Sequence, residues 1–419
     1  MSFTFVHTAD LHLDAPLTAL ALRDPDLAAQ VGVASRVALT RIVDLCIDEG
    51  AAFLLIAGDL WDGTYSSTKT PRFLKQELLR LQAAGIGCYL IRGNHDAMAR
   101  QTGELDLPAN THLFPGRAGT VTLDLDGQRV ALHGLSFRDI HAPESLLPRY
   151  PAPEAGAFNI GLMHTSLNGS PRHDPYAPCS LAELDAQGYD YWALGHIHRR
   201  AEHHGQAVVV MPGIPQGRGI DEPGPASVTL VRVGDDRRVT LEERSVACLR
   251  FDRLPVDCTG LEDWADLLAA LEAALRAAGA APRPEDHLVL RPVLEGATPL
   301  AWRIERDLDR LTEEARAFAA GAGVWIDKLE LRLDRTGDTK AAGEALPEEL
   351  VRSVLEDLPQ DPALIQALTE AAQDLLKDLP AELRDLLGQD EADLARRCQE
   401  LLAQGAPLIL SSLTAGEEG

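Results

Sequence analysis

Phe3-Thr4-Phe5-Val6-His7-Thr8-Ala9-Asp10-Leu11-His12 opens the chain with an apolar, strand-like run that ends in a carboxylate and an imidazole. The same grammar recurs four times. Phe53 to Ala57 runs into Gly58-Asp59-Leu60-Trp61-Asp62, Cys88 to Ile91 into Gly93-Asn94-His95-Asp96, Asn159 to Met163 into His164-Thr165, and Tyr191 to Leu194 into Gly195-His196-Ile197-His198. Short apolar runs of this kind read as buried strands. Helical patterns separate them: Ser35 to Glu49 closed by Gly50, and Lys69 to Ala84 closed by Gly85, each glycine suiting the left-handed position after a helix. Loops at the carboxyl ends of strands in an α/β sheet gather along one rim, so side chains far apart in sequence meet there.

The alternation is not uniform. Thr120 to Leu125 and Arg129 to Leu132 flank Asp126-Gly127, a hairpin turn, and a further meander is expected from Val208 through Val228 and Val233 to Val239. The fold class is therefore α/β (α+β) with mixed sheets in two packed layers. From about residue 248 the order becomes strand (Leu249 to Val256), helix, strand (His287 to Val293), helix, strand (Val324 to Leu333), a small α/β domain. Its first helix places Leu261, Trp264, Leu268, Leu271 and Leu275 on one face. The expected divisions are 1–247, 248–334, a polar linker at 335–346, and an acidic tail of three or four short helices at 347–419.

With 419 residues the chain suits two or three domains. No apolar run reaches the roughly 20 residues that span a bilayer, and the N-terminus lacks signal-peptide features, so a cytoplasmic protein without membrane contact is expected. Six scattered cysteines form no C-x-x-C pair and read as reduced thiols. The net charge of -25 opposes strong DNA binding on its own, since phosphate neutralisation needs Lys and Arg. That surplus is uneven: residues 341 to 419 hold 17 Asp and Glu against 5 Lys and Arg.

Any one strand-end motif alone reads as a turn cap or a solvated loop. Together they supply two carboxylates, an amide and four imidazoles, a set that packing alone does not require. Oxygen and imidazole donors without thiolate suit manganese, iron or zinc. Two divalent ions about 3.5 to 4 Å apart could share Asp59, polarise phosphoryl oxygens and lower the pKa of a water. Phosphoryl transfer is the reaction class this implies.

The order D-x-H, G-D-x-x-D, G-N-H-D, H, G-H-x-H resembles the calcineurin-like metallophosphoesterase superfamily. The resemblance implies a four-layer β-sandwich flanked by helices, with a small α/β capping domain and a helical C-terminal tail. It places Asp10, His12, Asp59 and His198 on a first metal, and Asp59, Asn94, His164 and His196 on a second. It makes His95 the catalytic histidine near the leaving oxygen, and Asp62 the residue that orients it. Thr8 to Leu13, Tyr176-Ala177-Pro178-Cys179-Ser180-Leu181, Gly188 to His198 and Pro212 to Arg218 are similar to the SbcD-like DNA repair exonucleases, especially their YhaO-type branch.

That branch implies a DNA nuclease using two divalent ions, with manganese the expected metal. It implies DNA and an SbcC-like coiled-coil ATPase as partners, the ATPase met by the tail, and homodimerisation as a further expectation. A phosphodiesterase for cyclic nucleotides or other small phosphodiesters, and a non-catalytic adaptor of the same fold, are the alternatives. Arg92, Arg138, Arg172, His173, Arg199, Arg200 and Arg218 lie where phosphates would need cations. Tyr176 and Trp192 are candidates for base stacking, Trp192 reading more readily as core. His133 reads as a hydrogen-bonded strand residue, His203 and His204 as an exposed turn.

Overall fold

The computed structural model describes residues 2–14, 25–61, 69–98, 107–139, 142–167, 176–334, 350, 353–378 and 391–415. In chain order the first part forms β1 (Phe3–Thr8), α1 (Pro25–Asp48), β2 (Phe53–Ala57), α2 (Lys69–Ala83), β3 (Gly87–Ile91), α3 (Asn94–Met98) and β4 (Thr111–Leu113). It continues through β5 (Gly119–Leu125), β6 (Gln128–Gly134), β7 (Phe158–His164), α4 (Leu181–Ala186), β8 (Tyr191–Gly195), β9 (Ala201–His204), β10 (Val208–Met211), β11 (Ser227–Val233) and β12 (Val239–Ser245).

Two six-stranded sheets result, one ordered β12-β11-β1-β2-β3-β4 and the other β5-β6-β7-β8-β10-β9. The strands β1, β2 and β3 run parallel, joined by helices long enough to cross over. Successive side chains of a strand face opposite ways, and this divides the apolar residues between two layers. Phe5, Phe53 and Leu55 face the second sheet, where they meet Leu132, Phe158, Ile160 and Tyr191. Phe5 stacks on Phe53 with centroids 5.0 Å apart and meets the edge of Tyr191 at 5.3 Å. Val6, Leu54 and Ile56 face away, against Leu39, Ile42, Val43, Leu74 and Leu78 of the helices. The outer face of the second sheet carries Met163, Trp192 and Leu194 beneath Tyr150, Leu184 and Tyr189. Helix, sheet, sheet and covering layer make the four-layer sandwich expected from the motif order.

The hairpin at Asp126-Gly127 has φ of 52° and 84°, the paired left-handed backbone of a tight β-turn. Several expectations need correction. Helix α1 begins at Pro25, ten residues before Ser35, because Leu27, Val31 and Ala34 pack on Leu249 and Phe251 from much later in the chain. The expected meander from Val208 is split: β10 lies parallel to β8 in the second sheet, whereas β11 and β12 pair antiparallel in the first. The intervening stretch holds Pro212, Pro215, Pro223 and Pro225, which cannot carry a continuous ladder. His203 and His204 stand in β9, not in a turn.

By contact density the chain separates into two units, the second comprising 254–278, 292–322 and 328–419. A further sheet contains β13 (Leu249–Asp257), β14 (His287–Ala297), β15 (Trp325–Ile326) and β16 (Glu330–Asp334), with α5 (Trp264–Ala280), α6 (Ala301–Arg306) and α7 (Leu308–Ala322) between strands. The buried face of α5 is Trp264, Leu267, Leu271 and Leu275; Leu268, assigned to it from spacing, is half-buried beside it. The last expected strand is broken in two where Asp327 turns its carboxylate to Arg291 Nε at 2.7 Å. In the tail, α8 (Pro362–Asp378) and α9 (Glu391–Ala415) are longer than the short helices expected, and they pack together. Leu375 of α8 is 68% exposed.

Candidate metal centre

Four of the strand-end residues adopt a left-handed backbone that side chains usually avoid: Asp10 at φ 53°, His12 at 40°, Asp59 at 52° and His196 at 103°. Such strain persists only where surrounding structure overdetermines it, and it clusters at functional sites. Here the sharp reversal after β1, β2 and β8 turns polar side chains back over the strand ends. Two glycines show how tight the arrangement is. A Cβ on Gly93 would overlap the Asp59 carboxylate, and one on Gly195 would overlap the Ala57 carbonyl.

The side chains converge. Asp59 Oδ2 lies 3.3 Å from His164 Nε2 and 3.8 Å from His12 Nε2, and Asp59 Oδ1 accepts from the His95 N–H at 3.0 Å. His164 Nε2 is 3.0 Å from Asn94 Oδ1, while its Nδ1 is 2.9 Å from the Ala57 carbonyl and 4.0 Å from Asp10 Oδ1. The Nε2 atoms of His12 and His198 face each other at 3.2 Å. His196 donates its N–H to both Asp10 oxygens, at 3.1 and 3.0 Å, and its ring stands 5.1 Å from that of His164. Asp10, His12, Asp59 and His164 are almost wholly buried.

Three overlapping groups bring ligand atoms within 4.8 Å of one another: Asp10, His12 and His198; His12, Asp59 and His95; Asp10, Asp59 and His164. Asp10, His12 and Asp59 each belong to two of them, and Asp59 Oδ2 faces both His12 and His164. By distance alone His95 is as close as a ligand. Every donor is oxygen or imidazole nitrogen, as hard or borderline divalent ions prefer.

Charge among these side chains is unevenly held. Burial and the neighbouring Asp59 raise the Asp10 carboxyl, although nearby histidines pull the other way. Burial would raise Asp59 too, but His164, His12 and His95 outweigh it and hold it below the usual carboxylate range. Burial disfavours a charged His164, yet Asp59 and Asp10 overcome this and push it up to about 9. Two carboxylates buried among imidazoles favour positive charge at this place, which a divalent cation fits.

Asp96 was assigned no role from sequence. It is completely buried and accepts the N–H groups of Leu60 (2.9 Å), Trp61 (3.1 Å) and Gly93 (2.9 Å), tying the loop of Asp59 to that of Asn94. Burial and the nearby Asp59 push its carboxyl up to about 7 against those three bonds. Its place beside His95 was the available signal. Glu222, also unassigned, accepts from His198 Nδ1 at 2.7 Å and from Arg218; despite burial these partners lower it to about 2.

Asp62, Arg172 and His173 lie outside the described residues. Arg218 is engaged with Glu222, and Arg200 donates to Thr229 Oγ1 at 2.7 Å and to Glu202. Arg138 and Arg199 are exposed, and Arg92 is half-buried. Tyr176 stands with its ring 5.0 Å from that of His196, whereas Trp192 is buried in the core. His133 is a buried strand residue bonded to Thr120 and Asn159.

Comparison with known proteins agrees with this architecture. Residues 3–200 match the calcineurin-like phosphoesterase family, and 251–334 match the middle domain of the metallophosphoesterase YhaO. The chain is 30% identical over 411 residues to a Bacillus subtilis protein described as an uncharacterized metallophosphoesterase YhaO, covering 92% of this chain and 97% of that one. It is 25% identical to the DNA double-strand break repair protein Mre11 of Methanopyrus kandleri, over 91% of this chain and 85% of that one. Mre11 of Methanocaldococcus jannaschii is 26% identical over 47% of this chain and 51% of its own. Such likeness along nearly the whole of both chains makes this protein a member of the calcineurin-like metallophosphoesterase family, in its YhaO-type branch.

Proposed function

We propose that the chain is a two-metal phosphodiesterase that cleaves DNA. Calcineurin-like phosphoesterases hydrolyse phosphoester bonds with a dinuclear metal centre, and the observation that carries the assignment here is the position of Asp59, whose Oδ2 lies 3.8 Å from His12 Nε2 and 3.3 Å from His164 Nε2. Asp10, His12, Asp59 and His198 would hold one ion, and Asp59, Asn94, His164 and His196 the other, with manganese the metal proposed. Bound there, the ions would supply Lewis acidity and an activated water for attack on phosphorus. His95 contributes a proton, or a hydrogen bond, at the leaving oxygen, and its N–H bond to Asp59 holds it at the edge of the cluster.

DNA as substrate is supported by the two Mre11 relatives, whose names place them in double-strand break repair. An SbcC-like coiled-coil ATPase is proposed as a partner of the acidic tail, where Leu375 and Leu401 are exposed at 68% and 53%. Homodimerisation and a cytoplasmic location belong to the same proposal. Among the described residues no helix is long and apolar enough to cross a membrane. One metal-dependent digestion series tests the activity, comparing end-labelled duplex, circular single-stranded DNA and a small chromogenic phosphodiester, with and without chelator. Manganese-restored cleavage of DNA is expected. Cleavage of the small phosphodiester alone would assign a small-molecule phosphodiesterase instead, and no hydrolysis of any of the three would favour an adaptor.

A further inference from the structure

Glu222 lies 24 residues beyond His198 in a loop without regular structure, yet it is among the most fully engaged carboxylates of the described residues. Its Oε1 accepts from His198 Nδ1 at 2.7 Å and from Arg218 Nη2 at 2.7 Å; its Oε2 accepts the Arg218 N–H at 2.8 Å. The Arg218 Nε–H adds contacts at 3.1 and 3.4 Å. The Glu222 N–H returns to the Gly219 carbonyl at 3.0 Å, so residues 218 to 222 close on themselves in a turn that offers the carboxylate to His198.

A carboxylate paired with a guanidinium is ionised and can only accept hydrogen bonds. Arg218 Nη2 also approaches His198 Nδ1, at 3.4 Å, but the Glu222 contact is far shorter at 2.7 Å and assigns the shared proton to Nδ1. With Nδ1 engaged by Glu222, His198 turns its Nε2 toward His12 Nε2, 3.2 Å away. We infer that Glu222 is a positioning residue, which fixes the tautomer and direction of His198 for the ion held by Asp10, His12 and Asp59. Arg218, itself a candidate phosphate contact from sequence, holds Glu222 in place. Carboxylates bonded to the far nitrogen of a ligating histidine commonly change metal affinity 10- to 100-fold when removed. The inference rests on the metal-site reading proposed above. The competing role is a plain staple of a surface turn, in which Glu222 would matter to Arg218 and not to the metal.

Two measurements on the full chain separate these. Manganese titration of metal-free protein should show that Glu222→Ala weakens one of the two sites by about 10- to 100-fold and leaves the other unchanged. Glu222→Gln, which keeps an acceptor for the imidazole, should recover most of that loss. Glu222→Ala that binds both ions as wild type, while His198→Ala loses one, would overturn the inference and leave the metal site standing. His198→Ala that keeps both ions would overturn the site assignment itself. The second measurement reads the ring in the wild-type protein itself. Histidine-labelled, metal-free wild-type protein should show the His198 ring protonated at Nδ1 in long-range nitrogen–proton spectra, assigned by the signal missing in His198→Ala; protonation at Nε2 alone would contradict the role given to Glu222.

Discussion

His95 and His7 show how differently two imidazoles of one chain are used. His95 is half-buried at the cluster edge, its ring 4.9 Å from that of His12 and its N–H on Asp59. In the role proposed for it on the leaving group, it should be dispensable for metal uptake. His95→Asn is expected to keep its manganese and lose about 100-fold or more in turnover, read by metal analysis beside single-turnover kinetics. Loss of metal with an unchanged rate per occupied site would reassign it as a ligand. His7 is completely buried, with Nδ1 3.0 Å from the Tyr191 hydroxyl and Nε2 3.1 Å from the Leu194 carbonyl. Burial lowers it to about 3, the Leu194 carbonyl opposing and Arg200 adding to the effect. The unfolded chain takes up a proton below about pH 6.5 that the folded chain refuses, so stability falls as pH drops from there toward 3. Between pH 6.5 and 5.5 this should cost about 1 kcal/mol, seen in denaturant midpoints. A His7→Gln variant should lack that increment, and equal pH slopes for the two proteins would contradict it.

At the scale of elements, the strand ends govern the site, and the loops after β2 and β3 are held together by Gly93 and Asp96. Gly93→Ala should displace the Asp59 carboxylate that its Cβ would overlap. Metal content and activity are expected to fall together while the far-ultraviolet circular dichroism of the sheets persists; a fully loaded, active variant would show that the loop can yield. The five strand ends can be read from sequence because each couples a buried apolar run to a polar motif, and both signals are local. Asn94 and His95 come with them. The left-handed backbone at Asp10 and Asp59 is not readable, since neither residue type demands it and the bonds that enforce it come from other strands. Glu222 and the early start of α1 are hidden for the same reason: Glu222 meets His198 only through the turn at 218 to 222, and Leu27 meets Phe251 only in the fold. The broken third strand of the small sheet depends on Arg291 claiming Asp327, a pairing no periodicity reports.

For the whole molecule, the acidic surplus and the exposed leucines of the tail bear on partnership, while the metal cluster bears on activity. Leu375→Glu with Leu401→Glu should leave thermal stability nearly unchanged, because both side chains are exposed. The pair should abolish co-purification with the proposed SbcC-like coiled-coil ATPase; retained binding would leave the tail helices to packing within their own chain. The central claim is that Asp59 serves two ions at once, and manganese stoichiometry tests it most directly. Dialysed wild-type protein titrated with manganese should bind about two ions per chain, and Asp59→Ala should bind neither tightly and hydrolyse no phosphodiester. An Asp59→Ala protein that still binds both ions, or a fully chelated wild type that still turns over, would contradict the account.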